Sequence, residues 1–344
     1  MRTLVAAWLL LSGLVLGNDG SSEATPAGGI RLKREARISM EKERLTIGRD
    51  RVTVEYEFLN TTNQDITVEV AFPVPGFGTG FLLSPSFHGD LDGWRVWVEG
   101  KELKYQTEVK ATVDPSPAVL GSPDGVDQAP LLRRMSVDIE SLGHFHLEDD
   151  GRRSGDFQKL PAAQQEELTR AGLFVDGFPV WTVRKTYHWQ QRFPAYRILH
   201  VKHEYAPELG LKYLTVDGLQ DDGIGQHATL SDSCVDPSLR SKLLAAAPND
   251  NGFGGGGFIP TTWVDYILTT ANTWRTPIKD FELVVERPKP ERQLSLYVSF
   301  CWDGKVEQRG PDTFVARVAN FVPKRELRVM FFQVGISGSI VNRN

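Results

Sequence analysis

The sequence predicts a mainly β protein: sandwich-like antiparallel sheets, in two units, with a helical connector or insertion between them. Three observations carry that expectation. The 344 residues include 32 Gly and 20 Pro with 10% aromatics, a composition of many turns between apolar strands. Apolar and polar residues alternate with period two over several segments of strand length. The last third is one short apolar segment after another, punctuated by Gly, Pro and Asn. Hydrophobic residues at 40% and charged residues at 24% suffice for a globular core. A net charge of −5, with no local basic run, removes the field that a general nucleic-acid binder needs.

The elements follow in chain order. Residues 1–17 have a single cation at Arg2, an apolar run from Leu4 to Leu11 and small residues up to Gly17, which is the pattern of a signal peptide. Cleavage after Gly17 would leave Asn18 first and send the chain to the periplasm or outside the cell. The apolar run is short of the roughly 20 residues needed to cross a bilayer, and no second stretch is long enough, so no membrane span is expected in the mature chain. An N-terminal β unit is expected over 18–113. In it Val52, Val54, Tyr56 and Phe58 share one face, and Ile66, Val68, Val70 and Phe72 another. With turn residues from Asn60 to Asp65 between them, these segments predict a hairpin. Another strand begins at Trp94 and turns at Gly100. From 114 to 177 the alternation stops; residues 135–143 and 160–174 predict helices, the second with Pro161 in its first turn and Gly172 near its end. A C-terminal β unit is expected over 178–335, before a tail at 336–344. Trp181, Val183, Tyr187 and Trp189 share a face there, and Leu199, Val201, His203 and Tyr205 line the expected hairpin partner. A short helix enters at Asp236 and Pro237, and five further strands close the chain.

Few residues point to chemistry. Cys234 and Cys301 are an even pair, and in an exported chain they predict a structural disulfide. Closing a loop of this length removes on the order of 4 kcal/mol of unfolded-state entropy. The histidines are His88, His144, His146, His188, His200, His203 and His227. His144 and His146 could face one way on a strand. His200 and His203 are three apart and so point to opposite faces, which is not a chelating arrangement, and no metal site is expected. Acidic Gly-containing loops at Asp90–Asp92 and Asp217–Asp222 lack the helix–loop–helix calcium pattern. The Gly254–Gly257 run is followed by no Lys-Ser/Thr pair, and no nucleophile motif occurs. No cofactor is expected. Tryptophans are the most suggestive feature: Trp94 and Trp97, Trp181 and Trp189, Trp263 and Trp274 either pack in the core or line a cleft for a ligand.

The chain resembles the bacterial secreted family known as domain of unknown function 4424. The residues that carry the similarity are the segment VEYEFLNTTNQDITVEVAFPVP and the run YHWQQRFPA with HVKHEYAP, which place Trp189, Phe193, Pro194, His203, Tyr205 and Pro207. The C-terminal blocks around Trp274, Cys301 and Pro323 complete it. Cys234 and Cys301 also sit where that family has cysteines. The segment from Val52 to about Leu103 is similar, less specifically, to the vault/inter-α-trypsin β module. The family implies a bacterial, exported, β-rich protein and brings no catalytic residues. The expected function is a non-enzymatic binding or interaction module whose partner is an envelope protein or glycan. The alternatives are a secreted hydrolase whose site converges from distant carboxylates and histidines, and a small-ligand carrier with an aromatic cleft. Catalytic and binding residues are not assigned by the sequence.

Overall fold

The computed structural model describes residues 20–24, 30–78, 92–113, 126–137, 139–140, 145–147, 153–155, 160–175, 178–207, 209–215, 219, 234–246, 258–289 and 294–335. Three sheets divide the alternating segments among them. The largest has eight strands in the order β20 (Glu307–Arg309), β21 (Thr313–Phe321), β18 (Ile278–Glu286), β3 (Ile38–Ile47), β4 (Val52–Asn60), β15 (Ile198–Ala206), β7 (Asp92–Val98) and β8 (Lys101–Glu102). A six-stranded sheet runs β2 (Ile30–Leu32), β1 (Gly20–Ala24), β5 (Ile66–Pro73), β14 (Trp181–Phe193) and β6 (Phe77–Gly78), with β9 (Gln106–Val113) on the other edge of β14. A four-stranded sheet contains β16 (Gly210–Thr215), β17 (Phe258–Tyr266), β22 (Leu327–Gly335) and β19 (Leu294–Phe300). Two short hairpins, β10 (Phe145–Leu147) with β11 (Arg153–Gly155) and β12 (Phe174–Val175) with β13 (Phe178–Pro179), stand apart. Among the described residues β3 and β18 pair in parallel and the other strand pairs are antiparallel.

Strands from both ends of the chain therefore interleave in one sheet. The main core lies where the three sheets face each other, with Phe58, Phe72, Phe193, Trp274, Phe281 and Phe331 all but fully buried in it. Burial of each large side chain contributes about 1.5–3 kcal/mol, which offsets the entropy of ordering so many strands. A second core forms where Trp181, Val183 and Ala111 meet two helices, α1 (Ala129–Arg134) and α2 (Ala162–Arg170). A third forms where Ile259, Met330 and Phe332 meet α3 (Pro237–Ala246). One strand, β14, serves two of these cores, and Lys185 lies buried between them in an ion pair of 2.5 Å with Glu140.

Two expected hairpins are instead corners between sheets. β4 belongs to the eight-stranded sheet and β5 to the six-stranded one, and β14 and β15 are divided in the same way. Alternation assigns side chains to a face but not a strand to a partner, so both arrangements bury the same residues. Buried Asn60 locks the two corners together. Its amide donates to the carbonyls of Gln64 (2.7 Å) and Phe193 (3.0 Å), and its Oδ1 accepts from the Thr62 N–H and hydroxyl. The turn at Gly100 does make a hairpin: Glu99 and Gly100 both have positive φ, +50° and +74°, which matches the twist of the flanking β7 and β8.

Of the helix expected over 135–143, the described residues 135–137 and 139–140 are not helical. The helix lies earlier, at α1, with Pro at its start, and Met135, Val137 and Ile139 follow it as alternately buried residues in the second core. The helix begun at Pro161 and the one begun after Asp236 are present as α2 and α3; the Leu239 N–H donates to Asp236 Oδ1 at 2.7 Å, satisfying an end-of-helix donor. Cys234 and Cys301 are disulfide-bonded, with Cα atoms 5.0 Å apart, tying the entry to α3 to the end of β19. Residues 1–19, including the expected signal peptide, lie outside the described residues.

Candidate functional site

Strand β3 decides what the outer face of the eight-stranded sheet becomes. A β-bulge between Met40 and Lys42 shifts its register, so the inner side is taken by Ile38 and Met40 before the bulge and by Leu45 and Ile47 after it. A one-residue shift flips every later side chain, and here it turns Lys42 and Arg44 outward. β3 was not evident from alternation because the bulge breaks it; the signal was the switch of apolar parity across the charged run EKER.

With β3 so placed, the cross-strand partners form a row of alternating charge. It reads Arg317 on β21, Glu282 on β18, Arg44 on β3, Glu55 on β4, Lys202 on β15, Trp97 on β7 and Glu102 on β8. Opposite charges directly across strands attract, and each pair contributes a few tenths to about 1 kcal/mol. Arg317 and Arg44 share Glu282, the latter at 3.1 Å. One row along, Arg51, Arg95 and Lys202 share Glu204 at 2.5, 3.0 and 3.3 Å. Although partial burial raises the Glu204 pKa, the Lys202 hydrogen bond and the fields of Arg51, Lys202 and Arg95 bring it below the ordinary carboxylate range.

Of these side chains Arg44, Glu55, Lys202 and Trp97 line a recess of about 470 Å³, with Lys42, Glu57 and His200 beside them. Trp97 in this lining is half-buried, with the Arg95 guanidinium 4.9 Å and the Lys202 ammonium 5.4 Å from its ring centre. His200 accompanies it, 3.2 Å from Glu99, whose pKa is lowered first by the backbone N–H of His200. The recess can therefore offer an indole, cations and carboxylate acceptors to one ligand.

The other described tryptophans are committed to packing. Trp94, Trp181, Trp189 and Trp274 are buried. Trp263 lies against Gly210, where a Cβ would come within 1.9 Å of its ring, and Trp302 stacks on Phe281 at 5.7 Å. Of the rings that could pack or line a cleft, these pack: Trp94, Trp189 and Trp274 in the main core, Trp181 in the second and Trp263 against the third. His203 is fully buried among Tyr56, Phe72, Trp94 and Trp189, whose ring centres lie 5.1–5.6 Å from its own, while His188 faces Glu69 at 2.6 Å. Among the described residues no group of three or more His, Cys, Asp or Glu side chains is placed to hold a metal ion. His88, His144, His227, Asp90, Asp217, Asp222 and Gly254–Gly257 lie outside the described residues, as does the side chain of His146.

The model of the family described as Domain of unknown function (DUF4424) matches residues 17–330. No curated protein sequence matches the chain. Among solved structures, a candidate nutrient binding protein from Legionella pneumophila shares 12% identity over 87% of this chain and 68% of its own, with a TM-score of 0.36. An M1 zinc metallopeptidase from Deinococcus radiodurans shares 8% over 88% of this chain, with a TM-score of 0.25, and this chain spans 44% of it. Likenesses this distant say nothing of activity.

Proposed function

The chain belongs to the DUF4424 family, and we propose that it is an exported binding module of the periplasm or cell envelope, without catalysis of its own. The observation that carries this reading is the recess at Trp97, a preformed concavity with one half-buried ring among ordered charges on interior strands. The described histidines support it as well. His188 and His200 are engaged with carboxylates, and His203 is sealed in the core away from the recess. Export is supported by the pattern of residues 1–17, and the Cys234–Cys301 bridge suits an oxidising compartment.

Native mass spectrometry of the protein from its own host tests the module. A retained ligand, lost on Trp97→Ala, is expected; turnover of a glycan, peptide or phosphoester substrate that is abolished by changing one His or carboxylate would replace binding with catalysis. N-terminal sequencing tests export: a chain beginning at Asn18 is expected, and a cytosolic chain retaining Met1 would refute it.

A further inference from the structure

The outer face of the eight-stranded sheet is layered by charge. Its two shared acids, Glu282 and Glu204, lie close to the sheet with side chains only 11% and 14% exposed. The cations that share them, Arg44, Arg317, Arg51, Arg95 and Lys202, extend above them at 42–67% exposure. In the lining of the recess itself three cations, Lys42, Arg44 and Lys202, stand against two acids, Glu55 and Glu57, a positive excess on a protein whose net charge is −5. The sequence shows no basic run because Arg44 and Arg317 come from opposite ends of the chain and meet only through Glu282.

We infer that the recess at Trp97 takes an acidic saccharide, a deepening that rests on the binding-module reading. Each part of such a ligand has a counterpart. A sugar ring has an apolar face that can pack on an indole, and Trp97 lines the recess. A uronate carboxylate matches the guanidinium of Arg44 and the ammonium groups of Lys42 and Lys202. Sugar hydroxyls can donate to Glu55 and Glu57, groups that a plain polyanion would be repelled by. Addition of a peptide strand is disfavoured at the floor because β3, β4 and β15 are interior strands with a neighbour on both sides, and β7 is joined by β8 at Trp97 and Val98. An added peptide strand needs an open edge.

The test is calorimetric titration of the full mature protein with tetragalacturonate, with maltotetraose as a neutral tetramer and with short-chain inorganic polyphosphate. Tetragalacturonate is expected to bind and to weaken as salt rises. Trp97→Ala and the double variant Arg44→Gln with Lys202→Gln should each weaken it at least ten-fold, and Trp97→Phe should restore part of the loss, with circular dichroism confirming the fold of each. Maltotetraose binding equally well, polyphosphate binding equally well without regard to Trp97, or tetragalacturonate not binding at all would each overturn the acidic-saccharide assignment. A different retained ligand that is lost on Trp97→Ala would leave the module standing while removing this ligand class. A retained ligand indifferent to Trp97→Ala would remove the site itself.

Discussion

The two faces of the eight-stranded sheet use the same residue types to opposite ends. On the inner face Trp94 and His203 are 3% and 0% exposed, packed ring to ring. Three positions away on the same strands, Trp97 and His200 stand on the outer face beside cations and a carboxylate. Spacing of three on a strand changes the side, so a residue's chemistry is set by parity before it is set by identity. The inner His203 sits in a row of aliphatics, between Val54 and Val96, while His200 is paired with Glu57. A tryptophan or histidine in this chain is thus evidence of function only once its face is known.

Mutation separates the faces most sharply at the tryptophans. Trp94→Ala empties a site against Tyr187 (4.6 Å) and Tyr105 (4.4 Å), and should cost about 3–5 kcal/mol in urea unfolding. Trp97→Ala should cost less than about 1 kcal/mol. Equal losses would break the comparison and make Trp97 a packing residue. The ion pairs should follow the same division. Glu140→Gln removes the carboxylate 2.5 Å from the buried Lys185 ammonium and should cost about 1–3 kcal/mol, less than for a fully buried pair because Glu140 is itself 35% exposed. Glu204→Gln, on the outer face, should cost at most about 1 kcal/mol.

What was legible in the sequence was parity. The alternating residues of β4, β5, β14 and β15 all lie on the sides their pattern assigns, and the glycine at 100 turns the chain as its position suggests. Partnership was not legible. Asn60 to Asp65 has the composition of a hairpin turn, yet its hydrogen bonds to Gln64 and Phe193 make a corner, because turn chemistry does not record which sheet the next strand joins. The α1 helix was misplaced for a related reason: Met135, Val137 and Ile139 alternate, but over a stretch too short to distinguish from a helical face. The site was the least legible part. Its central row joins Arg44 to Glu282 through a parallel pairing, and turns outward only because of a bulge at a run of charges.

The smallest expected effect contrasts two carboxylates. Glu326 accepts from the Leu268 N–H (2.6 Å), the Thr269 N–H (3.2 Å) and the Thr269 hydroxyl (2.5 Å), holding the turn that leads to Trp274. Burial raises its pKa, and these three hydrogen bonds only partly oppose that rise, whereas the cations around Glu204 shift that group down. The signs of linkage are therefore opposite. Folded Glu326 holds its proton more tightly than the unfolded chain does, so its share of stability is present below the unfolded value of about 4.3 and lost as pH rises through the raised one. Glu204 contributes above about 4.3, and its share is lost as pH falls through the lowered value. Urea midpoints across pH 3–7 should show the advantage of the wild type over Glu204→Gln growing with pH, and its advantage over Glu326→Gln shrinking. Slopes of the same sign would mean that the two carboxylates do not differ in the way their surroundings dictate, and that the contrast between the charged face and the buried interior does not extend to proton binding.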